Sequence, residues 1–269
     1  MFWQLHACRA GRSRASATRP GACVSGLAGL LLAAAALPCR ALPQGSALLD
    51  LSFDQLADIR ITSVSKNSER LAEAAASVFV ITRDDLRRSG VTSLPEALRL
   101  APNLQVAEAS AYGYTISARG FKSSDANKLM VLIDGRSIYT PLFSGVFWDA
   151  QDVMLEDVER IEVISGPGAT LWGANAVNGV INIITRASGD TQGGVASAGA
   201  GNRRSDAAAR YGARLDNGLT YRIYAKYVDL KHTSLATGGP IDDAAYHAQA
   251  GFRADWRRGV DQFTVQGDA

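Results

Sequence analysis

Cysteine is missing from residues 40–269; Cys8, Cys23 and Cys39 all fall in the first stretch of the chain. The remainder can therefore form no disulfide, no thiolate metal centre and no cysteine nucleophile. Histidine is nearly as scarce, with only His232 and His247 beyond residue 6. No Gly-x-Ser-x-Gly sequence accompanies them, so a hydrolytic triad has nothing to build on. Acidic residues and lysine are absent from residues 1–41, which carry Arg9, Arg12, Arg14, Arg19 and Arg40. Past that point 23 basic residues stand against 26 acidic ones, a net −3 that leaves no nucleic-acid footprint. The longest apolar run, Val24–Leu37, has 14 residues, short of the ~20 a spanning helix needs.

What that first stretch does have is an Arg-rich start followed by a solid apolar block. An apolar region of ~7–15 residues behind a basic one is the pattern of a secretory signal peptide. Small residues at Cys39-Arg40-Ala41 and at Gly45-Ser46-Ala47 put cleavage between 41 and 47. Residues 1–41 are thus expected to be removed on export.

Next, Ser52-Phe53-Asp54-Gln55 reads as a capping box that opens a short helix ending by Asp58. Ile59-Arg60-Ile61-Thr62-Ser63-Val64 is a β-branched stretch, fit either for an ordinary edge strand or for addition to a partner's sheet. From Ser77 to Thr185 strands and short helices alternate. Strands are expected at 78–81, 104–107, 115–118, 129–133, 161–164 and 180–184. Thr82 opens one helix, and Thr92 or Ser93 another that Pro102 ends. Asp134-Gly135 is a hairpin signal pairing 128–133 with 137–140.

Two groups in this region resemble chemical motifs and fail the test. Gly166-Pro167-Gly168-Ala169-Thr170-Leu171-Trp172-Gly173 follows a strand, yet no Lys-Ser or Lys-Thr follows Gly173, and Leu171 stands where a dinucleotide loop has its third glycine. Asp149, Asp152, Glu156, Asp157 and Glu159 are numerous enough for carboxylate catalysis or calcium. Without ligand spacing, they read better as solvated charges around a short helix over 153–158. No catalytic or metal-ligating residue is assigned.

Residues 190–269 alternate with period two. Leu219, Tyr221, Ile223, Ala225 and Tyr227 oppose Thr220, Arg222, Tyr224 and Lys226. Tyr246, Ala248, Ala250, Phe252, Ala254 and Trp256 oppose His247, Gln249, Gly251, Arg253 and Asp255. Strands this long with aromatic ends favour a membrane barrel over a sandwich. Turns at Asp216-Asn217-Gly218 and Arg257-Arg258-Gly259 contrast with a long connection over 229–245. His232 in that connection and His247 facing the lumen are expected to be solvated. Four or five strands cannot close a barrel, so the chain reads as the beginning of a longer one.

Several blocks together carry a resemblance. They are Ser77–Thr82 with Asp84-Asp85-Leu86, Leu94-Pro95-Glu96-Ala97-Leu98, Ile116–Phe121, Val131–Gly135, Val158–Gly168 and Trp172–Thr185. In this order they closely resemble the plug domain of TonB-dependent outer-membrane receptors, with Arg119, Gly120, Asp134, Gly135, Gly166, Pro167, Gly168, Gly173, Asn178 and Gly179 as plug-motif residues. Ser165 departs from the pattern, since many members carry Arg there for an ion pair between plug and barrel.

The resemblance implies an α+β plug, a small mixed sheet with short helices, followed by the first antiparallel strands of a transmembrane β-barrel that has about 22 strands in this family. It divides the chain into a signal peptide (1–41), a TonB-contact segment and linker (48–70), a plug (71–189) and barrel strands (190–269). It also implies a non-enzymatic receptor in the outer membrane that imports a scarce nutrient such as an iron siderophore or cobalamin. The implied partners are TonB, through Ile59, Arg60, Ile61, Thr62, Ser63 and Val64, outer-membrane lipid, and a small metal-chelate ligand met by Tyr112, Tyr114, Tyr139, Phe143, Phe147 and Trp148 on exposed apical loops. A plug-like binding module without transport and a soluble periplasmic α/β enzyme are the competing readings.

Overall fold

Thr82 ends one strand and starts one helix, and it does so by a reciprocal cap. Its hydroxyl accepts from Asp85 N, while the Asp85 carboxylate accepts from Thr82 N and Oγ1. Two orphan donors of the first turn are satisfied this way. Helix α1 (Arg83–Ser89) then stops at Gly90 in the left-handed region. Helix α2 (Leu94–Leu98) starts from Ser93, whose Oγ accepts from Glu96 N. The computed structural model that shows these elements describes residues 60–63, 69–74, 76–120, 128–140, 142 and 145–269. The expected signal peptide and the helix from Ser52 lie outside the described residues.

Strands β1 (Arg60–Ile61) and β2 (Glu69–Arg70) pair with each other. The plug sheet is built from β3 (Ser77–Thr82), β6 (Leu129–Ile133), β7 (Arg136–Ser137), β8 (Val158–Ser165) and β9 (Gly179–Thr185), in the order β3-β8-β9-β6-β7. Only β6 and β9 run parallel, so the sheet is mixed. Between α2 and β6 stands the hairpin β4 (Leu104–Glu108) and β5 (Tyr114–Ala118). One sheet face presents Ile81, Val131, Ile133, Ile161, Val163, Ile181 and Ile183 to α1, α2 and the hairpin. The other face is smaller: Leu132, Ile164 and Val180 pack with Ala176 and the indole of Trp172, the last residue of helix α3 (Ala169–Trp172).

The plug sheet gives way through Thr185–Thr191 to a separate antiparallel sheet in chain order. It comprises β10 (Gly193–Ala200), β11 (Arg204–Arg214), β12 (Thr220–Leu230), β13 (Ala245–Arg258) and β14 (Asp261–Asp268). Its alternation is the one read from the sequence. Arg210, Thr220, Arg222, Lys226, Val228 and Asp255 are buried toward the plug, while Tyr211, Ile223, Tyr227, Tyr246 and Phe252 stand on the open face. A mixed α+β plug followed by antiparallel barrel-type strands is the fold class expected. No helix among the described residues is long and apolar enough to cross a membrane.

Several local expectations change. The helix expected over 153–158 is a single 3-10 turn, Leu155–Asp157, because Val158 already belongs to β8. The hairpin arm expected over 137–140 forms a strand only at Arg136–Ser137, with one further bond from Ile138 N to Val131 O, and Thr140 bridges Gly145 instead. The long connection narrows to 231–244, since Asp229, Leu230 and Ala245 remain paired in the ladder. The turn expected at 257–259 is Gly259-Val260, because Arg257 and Arg258 still pair with Gln262 and Asp261. Helix α3, within the loop from Gly166 to Gly173, had no periodic signal in four residues.

Candidate functional site

Strand β8 carries a charged residue in an apolar run, Glu162, and β9 a polar one, Asn182, directly opposite it. Period-two geometry turns both to the smaller face of the plug sheet, away from the main core. There they hold the chain that arrives from residue 60. Glu162 Oε2 accepts from Thr62 N (3.1 Å), Ser63 N (2.9 Å) and Ser63 Oγ (2.5 Å). Asn182 Nδ2 donates to Ser63 Oγ (2.8 Å), and Trp172 Nε1 donates to the Ser63 carbonyl (2.8 Å). Arg160 Nε, 2.8 Å from Glu162 Oε1, supplies the counter-charge. Ile61, Ser63 and Glu162 are fully buried.

Of the six residues expected to contact a partner, Arg60, Ile61, Thr62 and Ser63 form this docked segment, with a two-residue strand in place of six; Ile59 and Val64 lie outside the described residues. Glu162, Asn182 and Trp172 were not singled out beforehand. The signal was available, since two facing polar residues inside apolar strands need partners that the strands cannot supply. Replacing Glu162 by Ala leaves two amides and a hydroxyl without their acceptor. The docking of residues 62–63 should weaken by about 2–4 kcal/mol. Amide hydrogen exchange checks this: protection of Thr62 and Ser63 should fall at least about tenfold, and unchanged protection would mean that other contacts hold the segment.

The residues expected at the apex separate into distinct environments. Tyr112 (43% exposed) and Phe147 stand open, and Tyr139 is half-buried. Tyr114 is half-buried on β5, where burial, and Glu96 and Glu108 beside it, push its phenol above the usual tyrosine range. Trp148 departs from its expected exposure. At 6% it belongs to the plug core, packed with residues such as Ile133 and Ile138. Phe143 lies outside the described residues. The loop bearing Tyr112 is tied to the connection 231–244 through Asp243, which accepts from Ala111 N (2.9 Å), Thr233 N (2.8 Å) and Thr233 Oγ1 (2.6 Å). Burial, the largest single influence, raises the Asp243 carboxyl, but these bonds together hold it below the usual aspartate range.

The plug-motif residues fix backbone shape. Asp134 (φ 49°) and Gly135 (φ 80°) form the two-residue turn between β6 and β7 with both residues at positive φ. The Asp134 carboxylate also accepts from Thr185 N and Oγ1, each at 2.7 Å, joining that turn to the end of β9. Arg119 and Gly120 take positive φ after β5, as do Gly166 and Gly173 around Pro167 and Gly168. Asn178 N donates to Lys128 O, and Asn178 O accepts from Gly166 N. Ser165 Oγ accepts from Asn103 Nδ2.

The acidic residues once read as solvated need correction at two positions. Asp152 lies 2.7 Å from Lys226 Nζ, and Asp157 is buried between Arg210 and Arg222. His247, too, is packed and not free in water, with Nε2 3.6 Å from Asp152. The alternating strands place bases opposite these acids, a relation that distance in sequence conceals.

A small mixed plug set against antiparallel strands of barrel type, with its entering chain clasped against the sheet, is the fold of a plugged barrel. Residues 70–180 match the TonB-dependent Receptor Plug Domain family. With the fold beside it, that match makes the chain similar to a fragment of a TonB-dependent receptor. It is similar to the "Vitamin B12 transporter BtuB" of Vibrio vulnificus, 34% identical over 150 residues, which are 55% of this chain and 24% of that one. The transporter of that name from Vibrio cholerae is 30% identical over 142 residues, 53% of this chain and 23% of the other. The chain thus spans about a quarter of the length of the curated relatives it matches. Among solved structures, the ferripyoverdine receptor of the outer membrane of Pseudomonas aeruginosa superposes with a TM-score of 0.62 at 20% identity, over 78% of this chain and 27% of that one. The siderophore receptor PirA of Acinetobacter baumannii gives 0.54 at 20% identity, over 71% and 31%. At such identities the structures speak for the fold alone.

Proposed function

We propose that this chain is the amino-terminal part of an outer-membrane receptor that binds a scarce nutrient, an iron siderophore, cobalamin or a similar metal chelate, and passes it to the periplasm with energy delivered by TonB. The observation that carries the reading is the docked segment at residues 60–63. It is extended and held chiefly by one carboxylate and two side-chain donors, so its backbone can exchange these few bonds for those of a partner strand. Ile59 to Val64 is the stretch that TonB takes up. Tyr112, Tyr114, Tyr139, Phe143 and Phe147 meet the ligand from the outer side; Trp148, buried in the core, supports them from beneath. No covalent chemistry is required. Residues 1–41 act as the signal peptide, 48–70 as the TonB-contact segment and linker, 71–189 as the plug and 190–269 as barrel strands in the lipid of the outer membrane. The matches to vitamin B12 transporters support the nutrient class.

Removing residues 59–64 from the full-length receptor tests the reading. Energised uptake should fall to background while equilibrium binding of ligand to whole cells is preserved. Uptake at the original rate would sink the assignment of this segment, and loss of binding would show that the deletion damages the plug itself.

A further inference from the structure

Asp157 closes the 3-10 turn before β8, and its backbone is used: its N donates to Met154 O, and its carbonyl accepts from Arg186 N. Its side chain is not used locally. Both carboxyl oxygens are buried and accept no hydrogen bond, and the residue is 2% exposed. Their neighbours are two guanidinium groups from the other sheet. Arg210 Nε on β11 lies 3.2 Å from Oδ1 and Arg222 Nε on β12 lies 3.6 Å from Oδ2, close enough for ion pairs though neither is aligned as a hydrogen bond.

The two arginines are themselves fixed. Arg222 Nη1 donates to Arg186 O (2.5 Å) and Nη2 to Thr185 Oγ1 (2.8 Å), while Arg210 Nη1 donates to Thr191 O. Their other donors therefore grip the passage from plug to β10. That passage runs hard against the strands: a Cβ at Gly212 would sit 2.2 Å from the Thr191 carbonyl oxygen. The same polarity recurs along the contact. Asp134 faces Arg253 at 3.5 Å, Asp152 faces Lys226 at 2.7 Å, and Glu108 faces Arg203 at 2.5 Å. Each time the plug supplies the acid, and a strand, or for Arg203 the turn between β10 and β11, supplies the base; Arg136 with Asp268 on β14 runs the other way. At Ser165, where resembling plugs often carry Arg, the side chain is spent on Asn103 within the plug.

We propose that Asp157, set between Arg210 and Arg222, is a plug-to-wall lock of this receptor, the acid supplied by the plug and the bases by the strands. The lock fixes the placement of the plug more than it adds to stability. Burial pushes the Asp157 carboxyl above the usual aspartate range, against the pull of Arg222 and Arg210. A buried pair of this kind contributes little net, yet removing one member strands the other charges in a dry site. Removing all three charges together is therefore far milder than removing one.

The test uses full-length receptor in planar bilayers, with barrel assembly followed by the heat-dependent gel mobility of the folded form. Asp157→Asn should raise the resting ion conductance by about tenfold or more, as the plug loses its seat. Asp157→Asn combined with Arg210→Gln and Arg222→Gln should leak less than Asp157→Asn alone. Wild-type conductance in Asp157→Asn, or a leak in the triple variant equal to the sum of its parts, overturns the proposal. Should Asp157→Asn fail to assemble, assembly of the triple variant supports the lock, and failure of both overturns it.

Discussion

Gly179→Ala is expected to prevent stable folding of the plug. Gly179 opens β9 and lies between Ser165 of β8 and Leu129 of β6. A Cβ there would stand 2.2 Å from the carbonyl oxygen of Ile164 and 3.4 Å from Leu129 Cδ2. The first neighbour is backbone in a paired strand, so relief requires β8 and β9 to part. Overpacking a close-packed interior costs about 1–3 kcal/mol when side chains can adjust. Where the clash is with backbone, about 4 kcal/mol is the appropriate scale, a large share of the ~5–15 kcal/mol that stabilises a domain. Thermal unfolding followed by tryptophan fluorescence reads the effect. Gly194→Ala is the control, since nothing lies within 4 Å of a Cβ at that position. Equal melting temperatures for the two variants would refute the close-approach argument.

Ile223→Lys is expected to have the second largest effect, and on assembly more than on the plug. Ile223 is 52% exposed in β12, two residues before the strand's midpoint, and pairs with Tyr211 on β11 and Phe252 on β13, both on the open face. Under the proposed reading this face meets lipid. A lysine near the bilayer midplane costs about 2–4 kcal/mol, falling toward zero near the interfaces. The folded, heat-modifiable receptor should be depleted in outer-membrane fractions, whereas Leu235→Lys, exposed in the connection 231–244, should assemble normally. Normal assembly of Ile223→Lys would place that face in water and remove the membrane reading of the sheet.

Both substitutions probe features that differ in how plainly a sequence displays them. The outward row around Ile223 is legible because a strand alternates its side chains and one face must be apolar. Caps at Thr82 and Ser93 and the Asp134-Gly135 turn are legible for a similar reason: each is closed by residues within four positions, using local hydrogen bonds and local φ. The requirement for glycine at 179 is not legible, because the oxygen it avoids belongs to Ile164, brought beside it only when β8 pairs with β9.

The candidate site divides along the same line. Residues 59–64 stand out by β-branching, and the motif blocks from Ser77 to Thr185 point to the plug. The carboxylate that clasps Ser63 comes from 99 positions away, and pattern within a strand says only that Glu162 needs some partner. The aromatic residues near the apex look alike in sequence, yet Trp148 enters the core while Tyr112 stays open. Loop side chains have no periodicity to declare their direction.

The sequence by itself determined the period of the longer strands, the caps at Thr82 and Ser93, the Asp134-Gly135 turn, the two faces of β12 and β13, and the resemblance to a receptor plug, because these depend on neighbours a few residues apart or on contiguous motifs. Tertiary structure alone decided which acid meets which base. Asp157 reads as one more surface charge until the turn from the plug brings β11 and β12 over it. A charge is solvated or buried according to what packs against it, and that is a property of the fold.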